Sequence, residues 1–256
     1  MIDIHNHILP GIDDGPKTEQ DSIAMAKYAV EQGIHTVVAT PHHKNGRFNN
    51  KKEEILKYVS VLNELFKSKN IPLTVLVGQE VRIYGDILED IDKNEILTVN
   101  HSKYLLIELP FDEVPYYTEK LLYDIQLAGY IPVIVHPERN AELRRDYRKM
   151  YDLVLKGSLT QLTAGSILGH FGKEIEQFSH NLIQANLTHL IASDAHDVIS
   201  RPFELQEAYA LVKQQYGLDT YYMFLENSNL LIDNMNLNRY EPMPIRKKRK
   251  WLFGRS

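Results

Sequence analysis

Seven short runs of β-forming residues, separated by amphipathic helical stretches, restrict this chain to two kinds of fold. The runs are residues 2–8, 36–40, 73–77, 104–109, 131–135, 159–163 and 187–192. Each is rich in Val, Ile, Leu or Thr and bounded by Pro, Gly or polar residues. Between them, Thr18 is placed to cap a helix carrying Ile23, Ala26 and Val30 that stops at Gly33. Residues 51–70 put Ile55, Tyr58, Val59, Leu62, Leu65 and Phe66 on one helical face. Further helices are expected over 115–128, 141–156, 167–186 and 202–216, with Gly129, Gly157 and Gly217 closing three of them. Strands alternating with helices pair in parallel through right-handed crossovers. An open doubly wound sheet and a closed (β/α) barrel both satisfy that pattern. A barrel would gather its functional residues where the strands stop.

Polar residues do gather there. The first run carries His5 and His7, with Asp14 just beyond it, and alternate residues of a strand face the same way. The second ends at His42, the third runs on to Glu80, and the fourth closes on Glu108. The fifth leads into His136, Pro137, Glu138 and Arg139, and the seventh into Asp194 and His196. The sixth, with Gln161 and Thr163, offers no strong ligand. A lone histidine at a strand end is ordinarily a satisfied core or capping residue. Charged or imidazole groups at six apolar strand ends need pairing or a metal. The remaining histidines, His35, His101, His170, His180 and His189, lack this setting, and His43 should face away from His42. His5, His7, Asp14, His42, Glu80, Glu108, His136, Asp194 and His196 are too many donors for one ion. They suit two or three divalent ions sharing a bridging carboxylate, and nitrogen and oxygen donors admit Mn²⁺, Fe²⁺ or Zn²⁺.

Composition narrows the chemistry. With 256 residues, 43% of them hydrophobic, the chain can bury a large core as one domain over residues 1–240. No run of about 18 apolar residues suggests a membrane span, and no signal peptide is recognisable, so a cytoplasmic protein is expected. The absence of cysteine excludes disulfides, zinc–thiolate sites and a cysteine nucleophile. The net charge of −5 hides a basic tail, 241–256, in which Arg246, Lys247, Lys248, Arg249, Lys250 and Arg255 are followed by no acid. Such a tail on an acidic body can tether the protein to something anionic.

The order His-x-His, His, Glu, Glu, His, Asp-x-His resembles the polymerase-and-histidinol-phosphatase (PHP) superfamily of trinuclear metal phosphoesterases. Met1–Pro16, Ala39-Thr-Pro-His-His43, His136-Pro-Glu-Arg139, Ser193-Asp-Ala-His196 and Arg201-Pro202 resemble one branch more closely. That branch is the manganese-dependent protein-tyrosine phosphatases of Gram-positive bacteria linked to capsule and exopolysaccharide synthesis. The resemblance covers roughly residues 1–235 and implies a distorted seven-stranded (β/α) barrel with its metal site at the C-terminal ends of the strands. It implies that His5, His7, Glu80 and Asp194 hold one metal. Glu80 would bridge to a second held by Glu108 and His136, and Asp14, His42 and His196 would hold a third. Asp14 and Glu108 stand where several superfamily members carry histidine, which favours a harder ion such as Mn²⁺ over Zn²⁺.

Three divalent ions against four carboxylates leave a positive surplus for a hydroxide and a phosphate. Water acidified by such ions would attack phosphorus in line. Arg139 is expected to clamp a phosphate oxygen through its bidentate fork, with Arg201 as a second contact. Ordinary capping by an arginine is the plain alternative for Arg201. No general acid is identifiable. The resemblance implies hydrolysis of phosphotyrosine on a membrane-associated bacterial tyrosine kinase, with the basic tail and Trp251, Leu252 and Phe253 meeting either anionic lipid or the kinase. A tail that merely solubilises is equally compatible with its composition. Rival functions are a small-molecule phosphatase, such as one for histidinol phosphate, and a non-catalytic kinase-binding regulator. A metal-dependent amidohydrolase also begins with His-x-His, but here Glu80, with no lysine at a strand end, occupies the bridging slot.

Overall fold

The computed structural model describes residues 1–245 and is an α/β fold of parallel strands flanked by helices. Its strands are β1 (Ile2–Asn6), β2 (Thr36–Ala39), β3 (His42–His43), β4 (Thr74–Val77), β5 (Glu80–Arg82), β6 (Tyr104–Glu108), β7 (Ile131–Val135), β8 (Leu159–Thr163) and β9 (Leu190–Ala192). They form two sheets, β1-β2-β4 and β3-β5-β6-β7-β8-β9, with every pair parallel. Two residues separate β2 from β3, and two separate β4 from β5. A parallel bridge between Asn6 and Ala195 joins the outer strand of one sheet to the end of the other. The hydrogen bonds from His7 N to Ala195 O and from Asp194 N to His5 O, each 2.8 Å, reinforce that seam.

The helices are α1 (Glu19–Glu31), α2 (Lys52–Ser68), α3 (Ile87–Asp92), α4 (Thr118–Leu127), α5 (Ala141–Arg145), α6 (Tyr147–Leu155), α7 (Ala164–Ile167), α8 (Lys173–Gln184) and α9 (Leu205–Ile232). Thr18 caps α1 in a reciprocal box with Asp21, and Gly33 follows it at φ 73°, as the sequence predicts. In α2, Ile55, Val59, Leu62 and Phe66 are buried, whereas Tyr58 faces outward. Two expected helices are each divided. Asp146 accepts a hydrogen bond from Arg148 N and starts α6 afresh, breaking the 141–156 segment. Gly169 and Gly172, at φ 85° and 92°, open the 167–186 segment between α7 and α8. Gly217 interrupts α9 at φ 86°, but the chain then resumes a helix to Ile232 that the sequence reading did not assign.

Alternation along the strands sorts the core into two layers. Ile2, Ile4, Val38, Tyr104, Leu106, Val133, Val135, Leu159, Leu190 and Ala192 pack together in one cluster. Val37, Ala39, Val75, Val77, Leu105, Ile107, Ile134, Leu162 and Ile191 pack with the helices in another. Strands buried on both faces read as continuous apolar runs, which is why their ends stand out in the sequence. The chain keeps contact with this body past α9: Leu237 is buried and Met243 N donates to Ala185 O over 2.8 Å.

His189 belongs to this scaffold. Its ring is buried and Nδ1 accepts from Thr160 N over 3.2 Å. Burial, with Arg239 adding to it, pushes its pKa down to about 3. The unfolded chain takes up this proton near pH 6.5 and the folded one resists it, so stability is complete above pH 6.5 and falls as the pH drops below it. His189→Asn, which keeps an acceptor for Thr160, should flatten the fall in stability between pH 6.5 and 5 by about 2 kcal/mol. Thermal melts of both proteins across that range would show it, and equal slopes would reject the assignment.

Candidate metal centre

The nine donors expected from the sequence come together in space. His5 Nε2 and His7 Nε2 lie 3.5 and 3.4 Å from Glu80 Oε2, and 3.5 and 3.3 Å from Asp194 Oδ1. His42 Nδ1 is 2.7 Å from Glu80 Oε2 and 3.8 Å from Glu108 Oε2. Asp14 Oδ1 sits 3.4 Å from both His42 Nε2 and His196 Nε2. Three sets of donor atoms are each close enough for one ion: His7, Asp14, His42 and His196; His5, His7 and Glu80; and His42, Glu80 and Glu108. His42 joins the two glutamates, while His136 Nε2 bonds Glu80 through its other oxygen, Oε1, at 2.7 Å. His43 is in none of these sets, in keeping with its expected orientation.

Three imidazoles are tied from behind. His5 Nδ1 donates to Gln161 Oε1 over 2.8 Å, His7 Nδ1 to Asp13 Oδ2 over 2.7 Å, and His196 Nδ1 to Asp194 O over 2.9 Å. Each bond fixes the tautomer that leaves Nε2 as a lone pair toward the centre. His5 Nε2, His7 Nε2, His196 Nε2, His42 Nδ1, Glu80 Oε2 and Glu108 Oε2 are all buried and make no well-aligned hydrogen bond, although His42 Nδ1 faces Glu80 Oε2 at 2.7 Å and Arg82 Nε faces Glu108 Oε2 at 3.1 Å. Six such atoms converging on one place is costly for a folded protein and is what a cation cluster would satisfy.

The charges agree. Burial raises the Glu108 carboxyl, and the neighbouring Glu80 charge raises it further, to about 7. Burial would raise Glu80 too, but His42, His5 and the bond from His136 hold it well below the usual carboxylate range. Burial and Arg139 push His136 down to about 3, so its imidazole is neutral, as a ligand must be. Two adjacent buried carboxylates of which only one is readily charged fit divalent ions between them.

Arg139 and Arg201 both reach Asp194. The Nη2 atom of each donates to Asp194 Oδ2 at 2.6 Å, leaving Oδ1 toward His5 and His7. Arg139 Nε remains buried without a partner. His136 and Asp194 adopt φ of 35° and 56°, a left-handed backbone uncommon outside glycine and worth about 1–3 kcal/mol of strain. Simple alternation would place His136 with Ile134 on the helix-facing side, and this turn redirects it. A register shift between Asp3 and Asn6 similarly marks β1, where His5 follows Ile4. Gly15 lets the loop pass the first ligands: a Cβ there would fall 2.2 Å from His7 O.

Sequence reading missed Asp13, Gln161 and Asp3. Asp3 accepts from Ser193 N and Oγ and from Asn6 Nδ2, stitching β1 to the end of β9. Asp13 adjoins Asp14 in an acidic pair, a signal open to notice; Gln161 carried none. Asp13→Ala should keep the fold yet lower affinity for a divalent cation about 10–100-fold. Titration with Mn²⁺, read by calorimetry, checks this, and unchanged affinity would remove Asp13 from the site.

A family model described as "Capsular polysaccharide synthesis, CpsB/CapC" matches residues 1–233. The tyrosine-protein phosphatase YwqE of Bacillus subtilis is 50% identical over 254 residues, 99% of each chain. The putative tyrosine-protein phosphatase CapC of Staphylococcus aureus is 41% identical over 254 residues, again 99% of each. CpsB of Streptococcus pneumoniae is 32% identical over 222 residues, 85% of this chain and 91% of that one. A solved structure from work on YwqE and CpsB, described as unique metal-dependent tyrosine phosphatases, superposes with a TM-score of 0.94. It is 49% identical and covers 96% of this chain and all of that one (100%). An organophosphorus hydrolase from Deinococcus radiodurans, at 13% identity and a TM-score of 0.54 over 90% of this chain and 91% of that one, shares the fold.

Proposed function

The chain belongs to the CpsB/CapC family of capsular polysaccharide synthesis, and from that premise we propose that it is a metal-dependent protein-tyrosine phosphatase acting through the centre described above. It is a phosphoric monoester hydrolase. The observation that carries the reading is the convergence of six buried donor atoms, from His5, His7, His42, His196, Glu80 and Glu108, that make no well-aligned hydrogen bond.

These residues, with Asp14, His136 and Asp194, would hold the ions, which we take to be three Mn²⁺, with Fe²⁺ or Zn²⁺ as other occupants of such donors. Divalent ions held there would supply positive charge for the phosphate oxygens and an acidified water as nucleophile. The protein's own part is orientation and charge. Gln161, Asp13 and the Asp194 carbonyl aim the histidines, and the two arginines hold Asp194. Arg139 retains an unpaired Nε–H, and Arg201 is partly open to solvent, so both can turn donors toward a phosphate. We read the nine strands as a distorted seven-stranded (β/α) barrel of the PHP type, with β2 and β3 as one interrupted strand and β4 and β5 as another. The Asn6–Ala195 bridge between the sheets supports closure, and the centre then lies at the C-terminal ends of the strands.

The substrate class follows the relatives, whose names are those of tyrosine-protein phosphatases. A membrane-associated tyrosine kinase is the partner we propose. Among the described residues no helix is long and apolar enough to cross a membrane, and we place the protein in the cytoplasm. The phosphatase domain is taken as residues 1–240 and the basic tail as 241–256. Residues 246–256, including Trp251, Leu252 and Phe253, lie outside the described residues.

Loaded with Mn²⁺, the protein should hydrolyse a phosphotyrosine peptide in preference to histidinol phosphate and lose that activity in chelator. Elemental analysis should find divalent metal. Arg139→Ala and Asp194→Asn should each lower kcat/KM about 10²–10³-fold with the fold intact. Inert Mn²⁺-loaded protein, indifferent to chelator, would defeat the proposal.

A further inference from the structure

Two phenylalanines stand exposed beside the centre. Phe111 is 49% and Phe171 39% exposed, the two exposed phenylalanines among the described residues. Both lie against Arg139, whose Cζ is 5.7 Å from the Phe111 ring centre and 5.4 Å from that of Phe171. Phe111 also stacks on His136, with ring centres 6.2 Å apart. They come from unrelated loops, one after β6 and one between α7 and α8.

Both loops are built to hold their ring. Phe111 O accepts from Ala141 N over 2.7 Å, and Asn140 Nδ2 donates to Pro110 O and Glu113 O over 2.6 and 2.9 Å. The loop carrying Phe111 is thus fastened to the residues just after Arg139. Phe171 lies between the positive-φ glycines Gly169 and Gly172, and its ring packs over Gly165, where a Cβ would meet it at 3.2 Å. His170 N donates back to Gly165 O over 2.9 Å. An apolar ring held by a fixed backbone and left open to water is a surface prepared for contact.

We propose that Phe111 and Phe171 form the subsite for the phenol ring of the substrate and set its preference for aryl over alkyl phosphates. This rests on the phosphatase reading above. In phosphotyrosine a single oxygen separates ring and phosphorus, so a phosphate gripped by Arg139 brings its ring to the two side chains that touch the same guanidinium. Aromatic pairs are favourable at centre separations of about 4.5–7 Å. A phosphoserine, with no ring, gains nothing there.

The test compares inhibition of the Mn²⁺-loaded full chain by phenylphosphonate and by methylphosphonate, alongside kcat/KM for a phosphotyrosine peptide. Wild type should bind phenylphosphonate more tightly. Phe111→Ala and Phe171→Ala should each shrink that Ki ratio about five- to tenfold, with peptide KM rising more than kcat falls. Phe111→Tyr and Phe171→Tyr should retain the ratio, and Phe111→Leu and Phe171→Leu serve should an alanine variant melt early. Equal Ki values in wild type, an unchanged ratio in the variants, or a parallel loss for both phosphonates would overturn the subsite; the last would leave the rings only a role in holding Arg139. Wild type that hydrolyses phosphotyrosine under any of these outcomes keeps the phosphatase reading. Wild type that does not hydrolyse it loses both.

Discussion

Buried carboxylates set side by side cannot all stay charged unless cations share their space, and this electrostatic demand organises the residues gathered around Glu80. Glu80, Glu108 and Asp194 are buried within reach of one another's partners, and burial alone pushes each toward its neutral form. The protein answers part of the demand itself. Arg139 and Arg201 share Asp194 Oδ2, and Arg82 Nε lies 3.1 Å from Glu108 Oε2. Glu80 Oε2 and the inward imidazole nitrogens are left for ions, whose charge is the largest such a site can hold.

Holding so many like groups together costs backbone strain and conformational freedom, and the parallel strands supply the rigidity that keeps them in place. His136 and Asp194 sit at strand ends in a left-handed backbone that non-glycine residues seldom adopt. Each is pinned by main-chain bonds: His136 N donates to Gln161 O, and Asp194 N to His5 O, both at 2.8 Å. Side chains on such a frame can be aimed within the tolerance that ligation needs, which loops alone hold less well. Asp13, Gln161 and Asp3 extend the same logic outward, and the aromatic rims at Phe111 and Phe171 are fastened to the segments that carry Arg139 and border α7.

Much of this was legible before any coordinates. The strand segments 131–135 and 159–163 recur unchanged: both are short, carry β-branched residues and are bounded by turn signals. The nine donors were legible because an ionisable group closing an apolar strand breaks the local pattern. The short strands β3 and β5 were not, since His42–His43 and Glu80–Arg82 have no apolar run of their own and are held by pairing with each other. The expected single helix over 167–186 failed for a local reason, two glycines in a conformation that helices exclude. The continuation of α9 past Gly217 failed for a non-local one. Its buried residues, Phe224 and Leu231 among them, are helical because they cover the strands.

The sequence by itself determined which side chains end the strands, that those strands pair in parallel and the exclusion of thiol chemistry, since periodicity, spacing and residue type are local properties. Only the tertiary structure decided how the donors are partnered. His42 joins Glu80 and Glu108, His136 turns to the other oxygen of Glu80, and the two arginines meet on Asp194. Those choices depend on distances of a few ångströms between segments far apart in the chain. Such distances are set by register, a shifted pairing in β1 and two strained backbone turns, none of which a one-dimensional pattern records.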